Sequence, residues 1–318
     1  MTQRSIAYAV ARVRALEPHL LDGPKLARLK ESGAAERFRL LQETGYGQRA
    51  ESLEAAIAAE LAAARKLVRE LSPDTDITGL FFLEADAHNL KTLLKSRLLG
   101  VAPQDLLEGG LFPVDTLIEA VETKDYRALP PAIRQGMDAL ERKLAAGPNP
   151  QLLSAAVDRA VFEHIAAALA DGRHPEVQAW FAAKADYLNA MSLLRARALG
   201  WDAERLANML LPGGDIAAAD VLEAYALSAD QLAKRMMRGR NGAAIAQALE
   251  ECMAQASPGP LERRMDSALM ALARAGKGRN FSLGPLVGYL LGREAEARAL
   301  RLLFSGRGPL EDWQPELY

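Results

Sequence analysis

The sequence predicts an all-α protein, and three observations carry that prediction. Apolar residues recur at three- and four-residue steps along most of the chain, alternating strand patterns are nearly absent, and proline and glycine gather in short clusters between the periodic stretches. Composition agrees. Ala, Leu, Arg and Glu are abundant, whereas Val, Ile, Thr and the aromatics that favour strands are scarce. With 318 residues, 50% of them hydrophobic and 25% charged, the chain can bury a core and has length for two or three modules.

Read in order, the first element is an amphipathic helix in MTQRSIAYAVARVRALEPHLL; arginines inside its apolar pattern set it apart from a signal peptide. A loop-rich unit holding Leu26, Leu29 and Gly33 follows. Leu53, Ile57, Leu61, Ala64, Leu67, Val68 and Leu71 then trace one helical face, with Glu54, Glu60, Arg65, Lys66 and Arg69 turned outward. Ser72, Pro73 and Asp74 close that helix, and another runs from Asp86 to Gly100. Leu106, Leu107, Gly109 and Gly110 form the next loop-rich unit, Pro130 and Pro131 start a helix, and Gly147 to Pro150 read as a linker. A helix from Pro150 to Ala170 ends in a turn over Asp171 to Pro175. A helix ending at Gly200 leads to a third loop-rich unit with Leu206, Leu211, Gly213 and Gly214. Beyond the turn at Pro258 to Pro260 come helices from Leu261 to Ala275 and from Pro285 to Phe304, where proline suits a first turn whose amides have no partner. Spanning a bilayer takes roughly 20 apolar residues. The apolar stretch from Ala155 to Ala170 is broken by Asp158, Arg159, Glu163 and His164, so no span is expected.

An internal repeat sets the domain organisation. DAHNLKTLLKSRLLG, beginning at Asp86, overlays DYLNAMSLLRARALG, beginning at Asp186, without a gap and 100 residues apart. The matches are Asp, Asn, a Leu-Leu pair, a basic residue, Arg, Leu and Gly. A weaker copy, 110 residues beyond the second, contains Glu296, Ala299, Leu300, Arg301, Leu303, Phe304 and Arg307, and a partial one includes Tyr8, Arg12, Arg14, Leu16, Leu20 and Leu21. Each full copy follows a long amphipathic helix and precedes a unit of leucines and then glycines. The period is too long for a short-repeat solenoid, so three similar helical modules are expected: 1–100 with the N-terminal helix, 101–200, and 201–318 with the C-terminal helix. Asp86, Asn89, Asp186 and Asn189 suit packing and local hydrogen bonds at the module joints better than chemistry.

Catalytic patterns are missing, and no catalytic residue, cofactor or metal ligand is expected. His19, His88, His164 and His174 include no pair at the four-residue spacing of a helical metal site. RAGKGRNFS departs from a phosphate loop, because Gly278 rather than Ser or Thr follows the lysine. Cys252 is the single cysteine, which excludes an intrachain disulfide, and Glu250 and Glu251 beside it oppose a thiolate. Lys and Arg total 39 against 41 Asp and Glu, so a globally basic nucleic-acid footprint is excluded. Lys234, Arg235, Arg238 and Arg240 form one basic cluster, with no interleaved aromatics to stack on bases.

With the repeats laid out, the chain resembles the C subunit of the V-type (A/V-type) rotary ATPases and ATP synthases, the counterpart of the d subunit in the eukaryotic vacuolar enzyme. The resemblance is carried by YAVARVRALEPHLL at Tyr8 to Leu21, by DAHNLKTLLKSRLLG, and most strongly by PLVGYLLGREAEARALRLLF at Pro285 to Phe304. It covers nearly the whole chain; Ala299 stands where the family usually has Asn, and Ala190 where it usually has an aliphatic residue. The resemblance implies a pseudo-threefold, funnel-shaped arrangement, peripheral on the cytoplasmic face of the membrane. It also implies a non-catalytic central-stalk (rotor) role. The chain would be a socket between the D and F subunits of the central shaft and the membrane proteolipid ring, touching the membrane only through that ring and transmitting torque for ATP-coupled proton or sodium transport. Gly109, Gly110, Gly213 and Gly214, which permit close backbone approach, are expected at a ring- or shaft-facing surface, with Arg235, Arg238 and Arg240 at its rim. Two other readings share the composition: a helical-repeat scaffold unrelated to rotary ATPases, and a helical enzyme built on Glu84, Asp86 and Asp186.

Overall fold

The computed structural model describes residues 5–147, 150–305 and 316–318, and among them every regular element is helical. The α-helices run α1 Ile6–Leu16, α2 Gly23–Glu31, α3 Ala34–Glu43, α4 Leu53–Leu71, α5 Thr75–Gly79, α6 Leu83–Leu99, α7 Val114–Thr123 and α8 Pro131–Ala146. They continue with α9 Pro150–Ala168, α10 Pro175–Ala198, α11 Ala203–Met209, α12 Ala218–Tyr225, α13 Ala229–Met236, α14 Gly242–Gln255, α15 Gly259–Lys277 and α16 Gly284–Ser305.

Local chemistry explains where they start and stop. Ser52 caps α4 by accepting from the Ala55 amide at 3.2 Å, as the pattern of polar residue before apolar run predicts. Gly100, at φ 66°, closes α6 in the left-handed conformation that terminates helices. The first loop-rich unit is more ordered than the sequence predicts: Leu26 and Leu29 lie buried on α2. Asp22 caps that helix, accepting from the Lys25 amide at 2.9 Å, and Pro24 sits in its first turn. Asp202 does the same for α11, which carries Leu206. The linker residues Pro148 and Asn149, and Arg307 of the third repeat, lie outside the described residues.

Two compact units result, residues 1–78 with 270–318 and residues 79–269. In the first, α16 packs against α1 and α4, and Leu21, Leu29, Leu41, Ile57, Leu300 and Leu303 form its core. In the second, α9 packs against α6, α8, α10 and α11, and Tyr187, Leu193, Leu206, Met236, Leu249 and Leu261 lie at the centre of a core cluster. These units follow spatial contact, whereas the modules 1–100, 101–200 and 201–318 follow sequence similarity and stand as a proposal about how the chain is built.

Candidate functional site: buried carboxylate joints

An Asp and an Asn three residues later share one helical face, and in both full repeats that face meets the loop that follows. Asp86 is 1% exposed on α6 and accepts from two backbone amides, Leu111 N to Oδ2 at 2.6 Å and Phe112 N to Oδ1 at 3.3 Å. Asn89 closes a two-bond ring with one residue of that loop: its Nδ2 donates to the Leu107 carbonyl at 2.8 Å, and its Oδ1 accepts from the Leu107 amide at 2.7 Å. The second repeat reproduces this. Asp186, fully buried on α10, accepts from Asp215 N at 3.2 Å and Ile216 N at 2.9 Å. Asn189 pairs with the carbonyl and amide of Leu211 at 2.9 and 2.7 Å. A helix cannot satisfy loop amides with its own backbone, which is already paired, so these side chains do it. The repeat arginines add a further tie: Arg97 donates to the Val121 carbonyl in α7, and Arg197 to the Leu227 carbonyl just after α12 at 2.7 Å.

The glycine pairs belong to the same joints. Gly109 and Gly213 both sit at φ 87°, a conformation that disfavours any side chain. A Cβ on Gly110 would stand 2.8 Å from Asp86 Cγ, and one on Gly214 3.2 Å from Asp186 Cγ, with an Oδ1 nearer still in each case. Each carboxylate therefore approaches a backbone that has no room for a methyl group.

In the third copy, Glu296 takes the Asp position. It is 1% exposed and accepts from the Leu21 amide, so the N-terminal segment plays the part of the returning loop. Ala299 replaces the Asn and has no side-chain amide to offer. Arg293 compensates in charge: its Nη1 lies 2.9 Å from Glu296 Oε2 and its Nη2 3.5 Å from Glu60 Oε2, which joins α16 to α4. Burial pushes the Glu296 carboxyl up, against the pull of Arg293. Burial also opposes the Arg293 charge, but Glu296, Tyr289 and Glu60 prevail and hold that guanidinium above its ordinary value. Asp186 is pushed by burial up to about 6, although the Ile216 and Asp215 amides pull it down. Sequence reasoning misses Arg293; the signal available was its place one turn before the residue that aligns with Asp186.

Equivalent residues of the two full repeats touch each other. Lys184 Nζ lies 2.7 Å from Glu84 Oε2, and the rings of Phe81 and Phe181 are 4.8 Å apart, each pair being separated by the repeat offset of 100 residues. Trp180 completes the aromatic cluster, edge-on to Phe181 at 5.0 Å. Equivalent positions of the two repeats thus lie side by side at Glu84 and Lys184 and at Phe81 and Phe181.

The basic cluster is held by acids. Arg235 and Arg238 reach Asp220 at 2.7 and 2.9 Å, and Arg240 reaches Asp215 at 2.8 Å. Asp215 also supplies one of the amides to Asp186, which links the cluster to the second joint. Among the described residues no group of three or more His, Cys, Asp or Glu could hold a metal ion. Burial raises the Cys252 thiol above its ordinary value.

A family model described as ATP synthase (C/AC39) subunit matches residues 9–308, a stretch that contains all three joints. The chain belongs to the ATP synthase (C/AC39) subunit family. Its relatives include the C subunit of the A-type ATP synthase of Methanocaldococcus jannaschii, 25% identical over 98% of this chain and 84% of the relative. The Haloferax volcanii counterpart is 25% identical over 94% of this chain and 92% of its own length, and that of Pyrococcus horikoshii is 27% identical over 93% and 84%. C/AC39 membership places the chain among subunits of rotary ATP synthases. No helix among the described residues is long and apolar enough to cross a membrane.

Proposed function

We infer that the chain is the non-catalytic central-stalk subunit of an A/V-type ATP synthase, a socket that receives the D and F shaft subunits on one side and rests on the membrane proteolipid ring on the other, at the cytoplasmic face. The family match over residues 9–308 carries this reading. The chemistry of the joints supports it, because every buried carboxylate described above is spent on backbone amides or on an arginine, leaving a body suited to passing torque. Repeats with side chains locked at their joints give stiffness without a reactive group. Gly109, Gly110, Gly213 and Gly214 already have an internal role in the joints; their loops, together with the exposed edges of Arg235, Arg238 and Arg240, are the proposed contact surface toward shaft or ring. Affinity purification of the tagged chain from detergent-solubilised membranes tests the proposal. Recovery of shaft subunits and proteolipid together supports it, and recovery of the chain alone, or with stator subunits only, overturns it.

A further inference from the structure

Residues 316–318 return to the first unit and seat on α15 and α16 at three points. Arg274 of α15 places Nη2 3.0 Å from Glu316 Oε2 and donates from Nε to the Leu317 carbonyl at 2.7 Å. Leu317 packs against the core of this unit. The Tyr318 ring lies across Gly288 and Gly292, one turn apart on α16, where a Cβ would stand 2.5 Å from Tyr318 Cζ at the first and 2.7 Å from Tyr318 Cβ at the second. Lys277 Nζ stands 4.5 Å from the centre of the same ring, within cation–π range.

Two glycines inside a helix cost about 0.5–1 kcal/mol each relative to alanine. On α16 they leave a notch on one face, and an aromatic ring fills it. The receptor has separate provision for each position of the segment: a guanidinium for the acid, the edge of a core for the apolar residue, and a glycine-floored notch with an ammonium above it for the ring. The groups that make this provision belong to α15, α16 and the core beside them, not to the segment itself.

We propose that this face of α15 and α16 is a binding site for peptides of the pattern acidic–apolar–aromatic, which the chain's own Glu316–Leu317–Tyr318 fills in cis, masking it from a partner segment of the same pattern. Ten residues of sequence separate Ser305 from Glu316. A short tether holds its segment at an effective concentration on the order of millimolar. A competing peptide must exceed that level, or the tail must be weakened, before the site opens.

Fluorescence anisotropy of a dye-labelled synthetic peptide ending in Glu-Leu-Tyr, titrated with the full chain, tests this. The Tyr318→Ala chain is expected to bind it saturably, with half-saturation at least about tenfold lower than for the unaltered chain, whose tail competes. Adding Gly288→Ala, which fills the notch, or Arg274→Glu, which repels the acid, to the Tyr318→Ala chain is expected to abolish that gain. Far-UV circular dichroism monitors folding; should Gly288→Ala lose helix, Arg274→Glu on the half-exposed helix surface decides. Equal binding by the unaltered and Tyr318→Ala chains, no saturable binding by either, or binding indifferent to Arg274→Glu overturns the proposal.

Discussion

Lys184 and Glu84 occupy the same position in two copies of one repeat, and they are ion-paired to each other at 2.7 Å. Sequence-identical copies could not do this, since like charges would then meet. The two repeats carry opposite charges at the place where equivalent positions lie side by side. A charge swap tests the contact: Lys184→Glu should cost about 1 kcal/mol, since Glu84 is largely exposed and surface pairs are weak, and the swap Lys184→Glu with Glu84→Lys should recover at least half of it. Urea unfolding midpoints of the unaltered, single-variant and swapped chains measure this. A double variant no better than the single would contradict the contact between the two repeats at these positions.

The second glycine of each pair should be far less replaceable than its surroundings suggest. Gly110→Ala and Gly214→Ala each drive a methyl group into a buried carboxylate and should cost about 2 kcal/mol or more. Gly278→Ala, where nothing lies within 4 Å, should stay within about 0.5 kcal/mol. Denaturant titration compares the three.

Asp186 gives the second unit a pH dependence of defined sign. Its carboxyl is held near 6 in the folded chain against an ordinary 3.8, so folding favours the protonated form. The associated stability is full below the ordinary value and is lost as pH rises through about 6. A shift of about two pH units corresponds to about 3 kcal/mol as an upper order of magnitude. Asp186→Asn removes the titration but leaves one loop amide facing a donor, a cost that does not vary with pH. The stability difference between the unaltered and Asp186→Asn chains should therefore shift against the unaltered chain between pH 4 and pH 7. A difference that is flat across that range would contradict a carboxyl raised by burial.

Arg293 neutralises the third joint. Arg293→Met leaves Glu296 buried with only the Leu21 amide, and should cost about 3–5 kcal/mol. Adding Glu296→Gln, which keeps an oxygen for Leu21, should recover a substantial part. Thermal unfolding of the two variants measures the recovery; none would mean that the cost lies in packing rather than in stranded charge.

What could be read from sequence follows the physics of each element. The face of α4 is legible because one side is wet and the other dry, so period and burial coincide. On α6 and α10 both sides are largely buried and the period fades; the repeat, not the periodicity, identifies them. The segment of Leu26, Leu29 and Gly33 reads as a loop-rich unit, which hides α2, although Asp22 and Pro24 form a good start signal once the cap is considered. The Asp, Asn and Gly residues stand out because they recur, but the pairing of Asp86 with Gly110, or of Asp186 with Gly214, joins a helix to a distant loop and leaves no local trace. Arg293 is the clearest loss. Arginine on an amphipathic helix ordinarily faces water, and only the fold puts Glu60 and Glu296 around it. Membership in the C/AC39 family is legible from the C-terminal helix, whose glycines and Arg-Glu spacing are the residues that build the third joint and the tyrosine notch.

A rotor part must touch both the shaft and the ring, and cross-linking mass spectrometry of the intact, detergent-solubilised complex tests that most directly. Cross-links from this chain both to shaft subunits and to the proteolipid ring are the predicted result. Cross-links confined to stator subunits, with none to shaft or ring, would contradict a place in the rotor.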